Sequence, residues 1–193
     1  MNIKLGLASM AVLAAIALPA YAMPVVFHAN LSGANELPAN ASTATGTALV
    51  TFDDVANTMQ VDIVFAGLSD VASAGHIHCC TPVPGVGNVS VAVGFTDFPA
   101  AASGTYSKTF DLSLDATYTN AFRNGPGGGT AAGAEAALLA GLLGGQAYAN
   151  IHDSKFPGGE IRGFLIAEPA PFALAMLALG GLAFTRRSSA RRQ

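Results

Sequence analysis

Two short apolar phrases of this sequence carry three of its four histidines. The first phrase contains His76, His78 and the adjacent pair Cys79-Cys80, and the second phrase ends at His152. Only 11% of the residues are charged, so ionisable groups inside apolar, β-type sequence need an explanation. Two explanations are open: a buried network in which polar side chains satisfy one another, or a site that binds a metal ion.

The histidines have the spacing of a metal site. Side chains alternate along a strand, so His76, His78 and Cys80 would share one of its faces. Imidazole is a good ligand for copper and zinc, and a thiolate would add a soft ligand. With His152 brought to the same place, the candidate metal ligands are His76, His78, His152 and Cys80. The His-x-His phrase is distantly similar to a strand of the copper-zinc superoxide dismutases, which leaves a redox-active metalloprotein open.

The alternative is a structural role for the same polar residues. A simple hairpin formed by the last two predicted strands would place His152 opposite Glu160 and Asn150 opposite Arg162. Together with Glu36, the residues His152, Glu160 and Arg162 would then form a buried structural polar network with charge-assisted hydrogen bonds. The sequence favours this structural interpretation, under which no cofactor is expected. Copper or zinc binding is the alternative.

The adjacent cysteines have three interpretations. Cys79 and Cys80 could form a disulfide with each other, link two chains, or contribute to the metal site. An exported location favours a disulfide of some kind. Two neighbouring cysteines close no loop of the chain, so they cannot supply a stabilising disulfide framework.

The elements that must position these residues are short strands. Residues 58–65 alternate well, with Met59, Val61, Ile63 and Phe65 on one face. Residues 131–143 are rich in Ala and Leu, end at a Gly pair and predict one short helix. The other predicted strands are residues 24–31, 46–52, 75–80, 88–95, 106–114, 147–151 and 160–166. This pattern predicts a mainly β fold, a sandwich or a Greek-key barrel.

The first 22 residues read as a secretory signal peptide. Lys4 is followed by an apolar run over residues 5–18, and Ala20-Tyr21-Ala22 is a small-x-small cleavage site. The mature chain would begin at Met23. Residues 23–167 then form one domain with four basic residues and eleven acidic ones, every acid of the chain but Glu168, so its net charge is −7. An acidic domain cannot neutralise the phosphates of a nucleic-acid backbone, so nucleic acid is not an expected partner.

The C-terminus has three parts: the phrase Glu168-Pro169-Ala170-Pro171, an apolar run over residues 172–185 and an arginine cluster. This layout resembles the PEP-CTERM sorting signal, with Glu168 and Pro169 in the sorting motif, although Ala167 stands where a proline is common. The resemblance implies a hydrophobic targeting helix in residues 168–193, contact with the membrane, and processing by an exosortase. The arginines favour a cytoplasmic C-terminus, with the domain outside.

Four phrases of the domain, in this order, resemble the CHRD domain first named from chordin. They are Leu31-Ser32-Gly33-Ala34-Asn35-Glu36-Leu37-Pro38, His76-Ile77-His78, Tyr148-Ala149-Asn150-Ile151-His152 and Gly158-Gly159-Glu160-Ile161-Arg162-Gly163. The resemblance implies an immunoglobulin-like β fold and no settled activity. We therefore expect an exported, non-enzymatic module, displayed at the cell surface or held in an extracellular matrix, with polysaccharide or other surface proteins as candidate partners.

Overall fold

The structure is a computed structural model that describes residues 24–168. Within this range the chain forms nine strands and two α-helices. The strands are β1 (Val25–Ser32), β2 (Thr45–Asp53), β3 (Thr58–Ala66), β4 (Ala72–His78), β5 (Val91–Gly94), β6 (Gly104–Asp111), β7 (Tyr148–Asp153), β8 (Ile161–Phe164) and β9 (Ile166–Ala167). The predicted signal peptide, residues 1–22, lies outside the described residues, as does the predicted targeting helix.

Hydrogen bonds join the strands into one antiparallel sheet in the order β5-β4-β7-β8-β1-β2-β3-β6, with β9 paired to β1. The prediction of a mainly β fold is confirmed. The finer prediction was an immunoglobulin-like sandwich or a Greek-key barrel. The structure shows instead a single curled sheet in residues 24–168. Its two end strands approach each other across the core through aromatic side chains: Phe95, just after β5, lies 5.3 Å from Tyr106 of β6 between ring centroids.

The curl follows from side-chain alternation in the long central strands. In β3 the predicted core residues Met59, Val61, Ile63 and Phe65 are all buried, while Val64 between them is exposed. The facing strand β2 also has one buried face. A sheet with one apolar face must cover that face, and curling covers it with the rest of the sheet.

The predicted strand over residues 106–114 ends early, at Asp111 of β6. The Asp111 Oδ1 atom accepts a hydrogen bond from the Ser113 backbone N–H at 2.9 Å, an arrangement that turns the chain. Leu112 stays buried, but Leu114, the last residue of the predicted strand, is 53% exposed. A local side-chain bond to the backbone therefore ends the strand.

The two helices lie between β6 and β7. Helix α2 (Ala131–Leu143) has the predicted bounds, and the Thr130 side chain caps it by accepting a hydrogen bond from the Gly133 N–H. Of the leucines in this helix, Leu138 and Leu142 are fully buried, whereas Leu143 is exposed. Helix α1 (Asn120–Asn124) is an additional short helix that the sequence pattern did not predict.

Within residues 24–168, no helix is both long enough and apolar enough to span a bilayer. The predicted sorting motif straddles the boundary of the described range. Glu168 is described, and its N–H donates to the Val26 carbonyl of β1 at 2.8 Å. Pro169 and the rest of the predicted tail lie outside the described residues.

Candidate functional site

The three histidines meet because β4 pairs with β7. In this antiparallel pair Ala74 lies opposite His152, and His76 lies opposite Asn150. His78 is two residues further along β4, so it projects from the same face as His76. The sheet register therefore brings His152 to His76 and His78, which lie more than 70 residues earlier in the sequence.

One nitrogen atom from each of these three imidazoles can be chosen so that all three lie within 4.8 Å of one another. The Nδ1 atom of His76 lies 3.2 Å from Nε2 of His152. His78 Nδ1 contacts the Val89 carbonyl at 2.7 Å, and His152 Nδ1 contacts the Pro157 carbonyl at 3.0 Å. A carbonyl oxygen can only accept a hydrogen bond, so both Nδ1 atoms carry hydrogen and both Nε2 atoms present a lone pair.

Burial keeps the three imidazoles neutral. It lowers the pKa of His76 to about 4, with smaller contributions from His152 and His78. Burial also lowers the pKa of His78 and of His152, although the carbonyl that each ring contacts opposes the shift. Neutral imidazole is the form that binds metal ions, so little competition from protons is expected near neutral pH.

Cys80, the fourth predicted metal ligand, does not join the histidines. Its sulfur is bonded to Cys79, so the interpretation as a disulfide within the chain is the one found in the structure. The Cys80 sulfur faces helix α2, 3.6 Å from the Ala137 carbonyl, and Gly141 of α2 lies directly against both sulfur atoms. A disulfide sulfur has no free thiolate to offer, so Cys80 drops out of the proposed ligand set.

The predicted four-residue polar network is divided in the structure, and Glu36 and Arg162 form one part of it. Their closest N–O distance is 3.8 Å, and both side chains are almost fully buried. Glu36 Oε1 also accepts a hydrogen bond from the Asn150 amide at 2.6 Å. The Arg162 guanidinium donates to the backbone carbonyls of Asn35 and Gly87, at 2.6 and 3.2 Å. Arg162 thus ties two loops to β8.

Glu160 forms a separate network, without Arg162 or His152. Its fully buried carboxylate accepts hydrogen bonds from the Ser42 hydroxyl at 2.6 Å and from the Ser69 hydroxyl at 2.8 Å. The Ser69 backbone N–H donates a third bond to the same carboxylate. The expected His152–Glu160 contact is therefore not made, because each side chain has closer partners. The serines lie in the connections between strands and carry no sequence signal that would have identified them.

Tyr148 links the histidine cluster to Arg162. Its ring stacks on His78, and the Arg162 guanidinium carbon lies 4.8 Å from its centre. The alternation of Tyr148, Asn150 and His152 along β7 is the sequence signal that places all three on one face. The hairpin register supports it, with Asn150 opposite Arg162 as the sequence predicted.

Comparison with known families gives one result. The CHRD domain model matches residues 27–165, nearly the whole described range. The chain belongs to the CHRD domain family. The four phrases that suggested this family all lie within the match, and they supply the histidine cluster, Glu36, Asn150, Glu160 and Arg162. Searches of curated proteins and of solved structures found no significant match to this CHRD chain.

Proposed function

We propose that this CHRD-family protein is an exported, non-enzymatic binding module, displayed at the cell surface or held in an extracellular matrix. The signal-peptide-like leader and the PEP-CTERM-like tail motivate export. In this proposal an exosortase-type enzyme processes the tail, the tail helix holds the protein at the membrane before processing, and extracellular polysaccharide or other surface proteins are its partners.

The observation that supports this proposal is the position of the two ends of the domain relative to the candidate site. Strand β9 pairs with the start of β1, so Phe27 lies opposite Ala167 and the two termini leave the domain side by side. The other end of β1 is Ser32, which lies opposite Arg162 of β8. Ser32 lies six residues beyond Val26 along β1, and at ~3.4 Å per residue the two ends of the strand are about 20 Å apart.

The histidine cluster is aligned across the sheet with Ser32, at the end of β1 that lies away from the two chain ends. Across the sheet, Ser32 pairs with Arg162, Arg162 with Asn150, and Asn150 with His76. A domain attached through its termini would therefore present the histidines away from the attachment point. This arrangement suits a displayed binding module, since the candidate site stays accessible while the tail is held.

Fractionation of cells that produce the full-length chain tests this proposal. The protein should be recovered outside the cytoplasm, with a mass reduced first by loss of residues 1–22 and then by processing of the tail. A chain lacking residues 168–193 is the matched control, and it should be exported but not retained at the membrane. Quantitative retention of the full-length chain in the cytoplasm would overturn the proposal.

A redox-active metalloprotein is the second candidate function, and the three-histidine geometry is the observation that favours it. Redox catalysis requires a bound copper ion, so it is tested only on copper-loaded protein. Superoxide dismutation well above that of free copper would replace the non-enzymatic proposal. Activity no higher than that of the metal-free protein would support the binding module.

A further inference from the structure

One of the four buried side-chain atoms without a hydrogen-bond partner in residues 24–168 belongs to the histidine cluster. The Nε2 atom of His78 is fully buried and makes no hydrogen bond within residues 24–168. Its lone pair is directed away from the Nδ1–H that the Val89 carbonyl holds. An unpaired buried polar atom costs free energy, so a buried imidazole lone pair among other imidazoles is a candidate metal ligand.

The two rings on either side supply the explanation. His152 is held by the Pro157 carbonyl in the same way as His78 is held by Val89, so its Nε2 lone pair also points into the cluster. Metal-binding histidines characteristically donate their other ring N–H to a carbonyl or carboxylate, which fixes the ring and its tautomer. Two histidines with this second contact already in place are preorganised as ligands.

The spacing also fits a single ion. Two nitrogen ligands at ~2.0–2.1 Å from a tetrahedral zinc ion lie about 3.3 Å apart. The Nδ1 atom of His76 and the Nε2 atom of His152 are 3.2 Å apart. Within residues 24–168, His76, His78 and His152 are also the one group of three histidine, cysteine or acidic side chains whose donor atoms all lie within 4.8 Å of one another.

A purely structural pair explains less. A hydrogen bond from His76 to His152 satisfies one atom of each ring, but it leaves His78 Nε2 buried and unpaired. It also gives no reason for packing three imidazoles together, with ring centroids 4.9 to 6.2 Å apart and no carboxylate among them. A shared cation would use the Nε2 lone pairs of His78 and His152 at once.

We propose that His76, His78 and His152 bind one copper or zinc ion, with His78 and His152 coordinating through Nε2. His76 supplies the third imidazole through Nδ1: the ion replaces its hydrogen bond to His152, and the Nδ1 proton gives way to one on Nε2, so the ring stays neutral. Copper(II) should bind more tightly than zinc, as the general order of divalent affinities requires. This inference goes beyond the proposed function, because it assigns a ligand and does not depend on where the protein is located.

The site has a route to solvent. His76 lines an open groove of about 460 Å³ between the first part of β4, the segment after β5 and the turn before α1. Gly94 of β5 leaves the His76 ring uncovered on that side, since a Cβ there would lie 3.9 Å from its Cδ2 atom. In this proposal the groove beside His76 is the path by which an ion enters the cluster.

The test uses the full-length chain in detergent, purified without a histidine tag, stripped with a chelator and then loaded with copper(II) or zinc. Elemental analysis should find one ion per chain, and the copper-loaded protein should show nitrogen hyperfine structure from imidazole in its electron paramagnetic resonance spectrum. Thermal melts should shift upward with either ion, because a ligand that binds only the folded state stabilises it. Less than about a tenth of an ion per chain after loading would overturn the inference.

Variants assign the ligands. His76→Ala, His78→Ala and His152→Ala should each lose most of the bound copper, whereas His28→Ala should keep one ion per chain. His28 is the matched control because it is also a partly buried strand histidine, but it lies opposite Ile166 at the other end of β1. Copper bound equally well by His152→Ala, or lost in His28→Ala, would contradict the assignment. If an alanine variant does not fold, the nitrogen hyperfine pattern of the parent protein still decides: absence of imidazole nitrogen refutes the site.

Discussion

The ring of Tyr148 stacks on the ring of His78, with the planes 5° apart and the centroids 4.7 Å apart. The Arg162 guanidinium carbon lies 4.8 Å from the centre of the same Tyr148 ring. Tyr148 therefore lies between the histidine cluster and the buried ionic group, and its ring packs on the face of His78 while the Val89 carbonyl contacts Nδ1 of the same ring.

Replacement of this ring should weaken metal binding without removing a ligand. Tyr148→Leu should lower copper affinity by about 10- to 100-fold, the range typical for groups that orient metal ligands. Tyr148→Phe keeps the stacked ring and should remain within about 3-fold of the parent. Competition with a chromophoric chelator measures both affinities. Equal affinities for the Leu and Phe variants would show that the stack has no role in positioning His78.

Gly141 of α2 should be intolerant of a side chain because of the disulfide. A Cβ at this position would overlap the sulfur atoms of both Cys79 and Cys80. Alanine normally stabilises a helix by about 1 kcal/mol relative to glycine, yet Gly141→Ala should destabilise this protein, as overpacking typically costs ~1–3 kcal/mol.

A double-mutant comparison isolates the cause of that effect. In a Cys79→Ala, Cys80→Ala background both sulfur atoms are gone, so Gly141→Ala should cost much less. Urea denaturation of the four proteins gives the coupling free energy. An unchanged cost in the background without cysteines would locate the clash elsewhere.

Arg162 and Arg123 provide a matched pair of buried and exposed ionic contacts. Arg162→Ala would leave Glu36 buried without its cation and two loop carbonyls without a donor, so we expect a loss of roughly 3–5 kcal/mol. Arg123→Ala removes a partly exposed ion pair with Asp115 and should cost no more than about 1 kcal/mol. Denaturant melts of the metal-free proteins measure both. Similar losses for the two variants would contradict this account of Arg162.

Glu36 should give the stability of the protein a distinctive pH dependence. Burial raises the pKa of Glu36 to about 7 from its usual value near 4.5, although Arg162 and Asn150 act in the opposite direction. Because the folded pKa lies above the unfolded one, the contribution of Glu36 is fully present below about pH 4.5 and is lost as the pH rises through about 7. Glu36→Gln cannot ionise, so the stability of the parent relative to this variant should fall across that window.

Urea melts of the two proteins at several pH values measure this difference. Asp54→Asn, at an exposed site, is the control for a general effect of removing one negative charge. It should show no comparable trend. A parent that gains stability over Glu36→Gln as the pH rises would mean that Arg162 outweighs burial, and that the folded pKa of Glu36 lies below its usual value.

The strands and α2 could be predicted because their signals are local. Alternation of Met59, Val61, Ile63 and Phe65 predicts β3, and an Ala/Leu-rich run ended by two glycines predicts α2. The Asn150–Arg162 register could also be predicted, since it depends on one hairpin. The early end of β6 could not, because a single side-chain hydrogen bond from Ser113 to Asp111 decides it.

The sequence by itself determined the family, the antiparallel β class and the residue types that could bind a metal, because short-range patterns carry that information. Tertiary structure decided which of those residues meet. Pairing of β4 with β7 brings His152 to His76, whereas the bond to Cys79 turns Cys80 toward α2. Glu160 is directed to Ser42 and away from His152. These outcomes depend on contacts between segments far apart in the chain, and no local pattern encodes which partner a buried polar group will find.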